Sequence, residues 1–449
     1  MTDTGSEAVY AEIELRDWDE VRTLQEERLL DQVEYLATES EYYREQFDEW
    51  GIDPDDVQSM DDFADIPFTV KEDERRNQVD PSIDQPLGPH QAADRAELAR
   101  VMSSSGTTGE PTFFGLTSDD YDAWIEMAAR SVYAAGARPD DVFLHAIGRT
   151  MVPGGLPYVE ALQEIGATVV PAGDGSTERI LKTADKLNVD GLFSTASHFQ
   201  YLIERAPEVT DRTVGELPVT KLIGGGEPGI ANPDVRSQLH EAYDADRVSE
   251  VMGIGDIAAA LSGECTVENG MHFVGQEYVY LELIDVETGE PIDLEPGAEG
   301  EVVYTPLGRE ATPLLRFRSG DYARIIDMGC ECGRTSPRFQ IIGRADDMLI
   351  YKAQNIYPAG IREVVGEIEG ASPKMKVVLP HEGKVQFDEP IPIEVARSPD
   401  TERPEDELVD DIATSVREQL NVRVDPTVLP SEEIELSEYK TDLVRVADD

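Results

Sequence analysis

Cysteine, lysine, tryptophan and long apolar runs are all scarce in this chain of 449 residues, and each scarcity closes off a class of protein. Three cysteines, two of them in Cys330-Glu331-Cys332, are too few for a disulfide framework and fit a reducing compartment. No apolar run approaches the roughly 20 residues that a membrane-crossing helix needs. Residues Met1 to Glu20 are acidic and lack the basic and apolar regions of a secretory signal, so a cytoplasmic location is expected. Positive charge is the largest deficit: 38 basic residues, only nine of them lysine, face 93 acidic ones, a net charge of -55. Such a surface repels nucleic acid and anionic membranes, which argues against either as a partner. Self-repulsion of that size opposes compaction in dilute buffer, but molar salt shortens the screening length to about 3 Å, so a halophilic setting is expected. Intrinsic disorder is the other reading of high charge, and 40% hydrophobic residues in regular patterns argue for packed cores instead.

The length calls for more than one domain. Helical and strand patterns alternate through the first half: a helix from Ser118 to Gly136 with Ser118 as its cap, a strand at Val142 to Ile147, a helix at Pro157 to Ile165, a strand at Ala167 to Val170, a helix at Arg179 to Leu187 and a strand at Gly191 to Thr195. This is the signature of crossover units on a parallel sheet. From Glu277 the pattern changes to alternation with a turn at Thr288-Gly289, which predicts an antiparallel section. After Gly343 a smaller α+β segment follows, with strands at Lys376 to Leu379 and Ile391 to Ala396 and a helix from Pro404 to Leu420. The expected architecture is α/β: a large N-terminal domain over 1–344 with parallel and antiparallel sheet sections, and a small mobile α+β domain over 345–449.

The segment Ser103-Ser104-Ser105-Gly106-Thr107-Thr108-Gly109-Glu110 carries the most chemistry per residue. Glycines let backbone N–H groups approach phosphate oxygens, and the hydroxyls add donors that need no cation, so the segment is a cradle for a polyphosphate. No Gly-Lys-Ser/Thr follows, so it is not a Walker loop. A flexible serine-glycine linker is the competing reading.

The spelling of this segment resembles the phosphate loop of the acyl-adenylate-forming enzymes, and an ordered series of further segments resembles their phenylacetate-CoA ligase branch. Gly224-Gly225-Gly226-Glu227-Pro228 is similar to the wall of the adenine site. Leu315-Arg316-Phe317-Arg318-Ser319-Gly320-Asp321 resembles the segment whose aspartate binds the ribose. Gly343-Arg344-Ala345-Asp346 resembles the hinge motif, Asn355-Ile356-Tyr357-Pro358 the stretch after it, and Lys440 stands where the family keeps its adenylation lysine. Each segment alone reads equally well as a turn, a strand end or a loop. The resemblance runs from about Tyr35 to Val446. It implies an ATP- and magnesium-dependent ligase that couples a small carboxylic acid to coenzyme A through an acyl adenylate, with a mobile small domain pivoting near Asp346. It also places Met151 to Leu156 and Ser194 to Tyr201, with His198, Phe199 and Tyr201, around an aryl or arylacetic acid.

Several departures bear on nucleotide binding. Glu110 stands where relatives carry lysine. Met252-Gly253-Ile254-Gly255-Asp256 replaces a tyrosine-glycine-x-hydroxyl-glutamate segment, leaving Asp256 as the candidate magnesium ligand; Ser249-Glu250 is the alternative register. An adenylating nucleotidyltransferase of the deazaflavin-adenylating type, and a weakened nucleotide-binding homologue, therefore stay open, as does a homodimer. A carboxylate attacking the α-phosphate of ATP meets an anion, and Lys440, a compact charge on a long stem, is the candidate cation for that step.

Finally, Cys265, His272, Cys330 and Cys332 offer three thiolates and an imidazole, the complement of a closed tetrahedral structural zinc. Relatives resemble this chain in their Glu-Cys and Cys-x-Cys-Gly-Arg segments. Buried free thiols with an unrelated histidine are the alternative.

Overall fold

The computed structural model describes residues 9–79, 86–104, 111–148, 151–173, 175–227, 229–344, 349–352, 354–381, 384, 386–398, 401, 403–434 and 443–447. The chain forms two compact units. The first runs to Gln340 apart from Asn232–Asp234 and Gly320–Ala323, which belong with Ile341 onward in the second.

The first unit opens with helices α1 (Trp18–Glu39), α2 (Glu41–Trp50), α3 (Met60–Phe63) and α4 (Lys71–Val79). The buried stripe of α1 reads Val21, Gln25, Leu29, Gln32, Val33 and Leu36, so polar side chains sit in it. Both glutamines are satisfied: Gln25 Nε2 donates to the carbonyls of Gln276 and Val279, and Gln32 Nε2 to that of Arg309. A hairpin of β1 (Arg100–Ser104) and β2 (Thr112–Leu116) follows, then α5 (Ser118–Ala134). The cap of α5 is Thr117 and not Ser118. Thr117 Oγ1 accepts from the N–H of Asp120 while the Asp120 carboxylate accepts from that of Thr117, a reciprocal box that shifts the start by one residue.

Next come β3 (Val142–His145), α6 (Leu156–Glu164), β4 (Thr168–Pro171), α7 (Thr177–Leu187), β5 (Gly191–Ser194), α8 (Ala196–Thr210), β6 (Lys221–Gly224), α9 (Pro233–Tyr243) and β7 (Arg247–Ile254). Strands β3 to β7 pair in parallel in the order β7-β6-β5-β3-β4, as the crossover pattern predicts. Leu144, Leu192 and Leu222 from these strands pack with Phe199, Leu202 and Leu239 from α8 and α9 in one buried cluster.

The sheet changes direction at β7, which pairs in parallel with β6 and antiparallel with β8 (Ala258–Glu264). It continues through β9 (Met271–Phe273), β10 (Val279–Ile284), β11 (Pro291–Ile292), β12 (Glu299–Pro306), β13 (Phe317–Asp327) and β14 (Arg338–Arg344), giving twelve strands in all among the described residues. The antiparallel section thus begins before Glu277. Every residue of β8 is buried, so the strand shows no alternation of apolar and polar residues to betray it.

The second unit is α+β. Strands β15 (Leu349–Tyr351) and β16 (Gln354–Ile356) pair, and β17 (Ala371–Leu379), β19 (Ile391–Arg397), β20 (Val424–Leu429) and β21 (Val444–Val446) form a sheet of order β20-β19-β17-β21, with β18 (Gln386–Phe387) beside β15. Helices α10 (Pro358–Gly366) and α11 (Glu405–Leu420) bury Ile361, Val365, Leu408 and Ile412 in a core with Met375, Ile393 and Val424. No helix among the described residues is long and apolar enough to cross a membrane.

Candidate functional site

In a sheet of this kind the crevice for a ligand lies beyond the carboxyl ends of parallel strands, at the point where strand direction or order switches. Here that point is the end of β7. Strand β6 delivers Gly226 and Glu227 beside it, and the Glu227 carboxylate accepts the Ser197 N–H at 2.6 Å at the start of α8. Met252 and Gly253 lie on β7 itself, where the pairing with β8 shifts register between Met252 and Ile254. A Cβ on Gly253 would come within 1.9 Å of the Ala259 carbonyl oxygen, so the irregularity requires glycine.

Three segments that are remote in sequence meet at the turn after β7. Ser103, buried on β1, donates its N–H to the carbonyl of Met151 at 2.9 Å. A Cβ on Gly255 would stand 2.9 Å from Pro153 Cγ and 3.5 Å from Ser104 Cβ. The glycine in place of a hydroxyl residue is thereby explained: Pro153 occupies the space. Asp256 is 2% exposed, and its turn is pinned by the Ile257 carbonyl, which accepts from Trp124 Nε1 at 3.1 Å and Arg309 Nη1 at 3.3 Å. The alternative acid, Glu250, lies within β7, with its N–H on the Glu264 carboxylate.

The residues that sequence reasoning missed are Lys71 and Glu74. Lys71 opens α4, and its Nζ lies 2.5 Å from both Ser104 Oγ and Asp256 Oδ2. Glu74, one helical turn on, is 1% exposed, and neither of its carboxylate oxygens has a hydrogen-bond partner among the described residues. Burial first, and then the nearby Asp256 charge, push its carboxyl well above the usual range. The available signal was composition: Lys71 is one of nine lysines in 449 residues.

Of the residues around the expected acyl pocket, Phe199 is core, with its carbonyl accepting from the Tyr243 hydroxyl at 2.9 Å, and Tyr201 is exposed. Among the described residues there, Ser194 is polar and buried, and His198 is polar and half-buried. Its Nδ1 lies 2.6 Å from Ser194 Oγ, and burial lowers its pKa and keeps it neutral. Buried His145 stacks on Phe193 with centroids 4.9 Å apart and places Nε2 3.1 Å from the Gly154 carbonyl.

In the second unit Asp321 Oδ1 pairs with Arg344 Nη1 at 2.9 Å, and Tyr322 stacks on Tyr357 at 4.7 Å. Ser105, Gly106, Thr107, Thr108, Gly109, Glu110, Pro228, Asp346 and Lys440 lie outside the described residues.

The four candidate metal ligands of the first unit come together, every pair of donor atoms lying within 4.8 Å. Cys265 Sγ is 3.7 Å from Cys330 Sγ, and Cys332 Sγ is 3.5 Å from His272 Nε2. Bonds of about 2.3 Å to sulfur and 2.0 Å to nitrogen about one tetrahedral ion put sulfurs about 3.8 Å apart and sulfur and nitrogen about 3.5 Å apart, so the donor set fits zinc. Each sulfur also accepts a donor: Val267 N–H for Cys265, Arg338 Nη1 for Cys330, Arg334 Nη1 for Cys332. The hydrogen bond from Cys265, followed by that from His272, holds the Cys332 thiol well below the usual range.

Residues 2–306 match the family model described as AMP-binding enzyme, and residues 353–449 match the AMP-binding enzyme C-terminal domain. The chain belongs to the AMP-binding enzyme family. Within the acyl-adenylate-forming enzymes it falls in the phenylacetate-CoA ligase branch. It is 34% identical over 440 residues to the phenylacetate-coenzyme A ligase of Thermus thermophilus, covering 93% of this chain and 94% of that one. It is 30% identical over 374 residues to that of Escherichia coli, covering 83% and 82%. A crystal structure of 2-hydroxyisobutyryl-CoA ligase in the postadenylation state superposes with a TM-score of 0.85 over all of this chain and 94% of that one, at 23% identity, a likeness of fold. The mixed sheet with an α+β unit agrees with that likeness.

Proposed function

We propose that this chain is an ATP-dependent, AMP-forming ligase that joins a carboxylic acid to coenzyme A through an acyl adenylate, with an arylacetic acid as the first candidate substrate. The observation that carries the reading is the convergence of Ser104, Lys71 and Asp256 at the switch strand: a hydroxyl, an ammonium and a carboxylate whose buried Oδ1 is unpartnered among the described residues. The kinship with phenylacetate-CoA ligases supports it.

In this reading the N–H groups and hydroxyls from Ser103 onward hold the phosphates, Gly226, Glu227, Met252 and Gly253 border the base, and Asp321 with Arg344 holds the ribose. The orphaned Oδ1 of Asp256 suits a divalent cation, and magnesium there would supply charge neutralisation for the leaving pyrophosphate. Lys440 reaches the carboxylate and phosphate oxygens in the first half-reaction, and the small unit pivots near Asp346 before the second. Neutral His198 with Ser194 gives the acyl cavity one polar edge in an otherwise apolar wall. Cys265, His272, Cys330 and Cys332 hold a structural zinc. The charge of -55 fits a cytoplasm at molar salt, without nucleic-acid or membrane partners.

A pyrophosphate-release screen over carboxylic acids at molar potassium chloride tests the reading. Release that depends on one class of acid and quickens with coenzyme A supports the ligase. Turnover indifferent to coenzyme A assigns an adenylyl transferase, and no release with any acid contradicts both.

A further inference from the structure

We propose that Lys71 is a resident counter-ion of the divalent-cation site: its ammonium holds the Asp256 carboxylate in the nucleotide-free protein and leaves it when a divalent cation enters. This rests on the nucleotide reading above.

The two partners are unequally fixed. The side chain of Asp256 is 3% exposed and that of Lys71 29%. Asp256 sits on a turn pinned by Trp124 and Arg309, whereas the ammonium rides on a flexible four-carbon stem at the first residue of α4. The lysine is the member able to move.

The acceptors around it outnumber its bonds. Nζ reaches Ser104 Oγ and Asp256 Oδ2, yet among the described residues Asp256 Oδ1 and both oxygens of Glu74 are buried with no hydrogen-bond partner. Glu74 follows Lys71 by three residues on α4, so the two share a face of the helix, and the Asp256 charge acts on both. A salt bridge kept only for stability would be expected to satisfy its buried oxygens. A buried carboxylate that keeps Oδ1 orphaned among the described residues, held by one mobile cation, instead describes a site for an ion of higher charge and more ligands. Arg309 does not compete for that place. It is 4% exposed, lies 3.6 Å from Asp120, and spends Nη1 and Nη2 on the carbonyls of Ile257 and Gly115.

The arrangement has a use in the reaction sequence. Without Lys71 the empty site would bury Asp256 unpaired. Once displaced, the ammonium stays beside Ser104, where the phosphates arrive, and supplies a positive charge in a chain with few to offer.

The test uses manganese as the probe, without nucleotide or acid, on the full chain at molar potassium chloride, with free metal read by electron paramagnetic resonance. Lys71→Met is expected to tighten manganese binding about tenfold by removing a competing charge, while Lys71→Arg stays within about twofold of the unaltered chain. Asp256→Asn in the Lys71→Met background should abolish the gain. A second measurement needs no variant: acetylation of the unaltered chain, mapped by mass spectrometry, should quicken at Lys71 when manganese is added and stay constant at Lys182. Unchanged, weaker or absent binding in folded Lys71→Met overturns the proposal, as does acetylation of Lys71 that ignores the metal. Neither readout involves turnover, so failure here is distinct from failure of the ligase reading.

Discussion

Cys265 Sγ and Cys330 Sγ lie 3.7 Å apart across 65 residues of chain, with His272 and Cys332 completing the quartet. A metal held by these four would tie the end of β8 to the loop after β13. Elemental analysis is therefore expected to find about one zinc per chain, and Cys330→Ser to lose it with a melting temperature lower by roughly 5 °C or more. Metal-free protein of unchanged stability would leave three free thiols.

Gly253 and Gly255 face backbone and ring at contact distance. Gly253→Ala is expected to cost about 2–3 kcal/mol in chemical denaturation, because a Cβ there meets the Ala259 carbonyl oxygen, which cannot swing aside. Gly255→Thr should weaken nucleotide binding more than stability, since it drives Pro153 and Ser104 apart. A gain in affinity from the restored hydroxyl would contradict the packing argument.

His90 is buried against Tyr42 with ring centroids 4.4 Å apart, and its Nε2 has no hydrogen-bond partner among the described residues. Desolvation lowers its pKa from 6.5 to about 4. Between those values the unfolded chain takes up a proton that the folded chain refuses, so stability falls as pH drops through the window and is unaffected above it. His90→Phe should flatten the stability profile between pH 6.5 and 4 by about 3 kcal/mol relative to the unaltered chain. Parallel profiles would place the acid sensitivity elsewhere.

Lys440 and Asp346 are assigned by resemblance and lie outside the described residues, which makes kinetics their test. Lys440→Ala is expected to slow adenylation by about a hundredfold or more while sparing thioester formation from a supplied acyl adenylate. Asp346→Pro, which fixes φ near -65°, should spare one half-reaction and stop the other. Equal losses in both half-reactions, for either variant, would remove its assigned role.

Legibility in the sequence followed the physics of each element. The crossover strands β3, β4 and β5 were visible because turns and amphipathic helices separate them. Strand β8 was not, because burial on both faces erases its period. Helix α1 was masked by Gln25 and Gln32, which occupy core positions and bond to distant carbonyls that no local pattern reveals. The glycine-rich and cysteine motifs announced themselves by composition. Lys71 and Glu74 did not, since their importance comes from lying against Asp256, 185 residues after Lys71.

The central claim concerns which bond of ATP is cleaved. The direct measurement is the product balance with magnesium, ATP, an arylacetic acid and coenzyme A at molar potassium chloride. The account predicts AMP, pyrophosphate and an acyl-CoA thioester in equal amounts. ADP and phosphate as the products, or thioester formed without AMP, would contradict it.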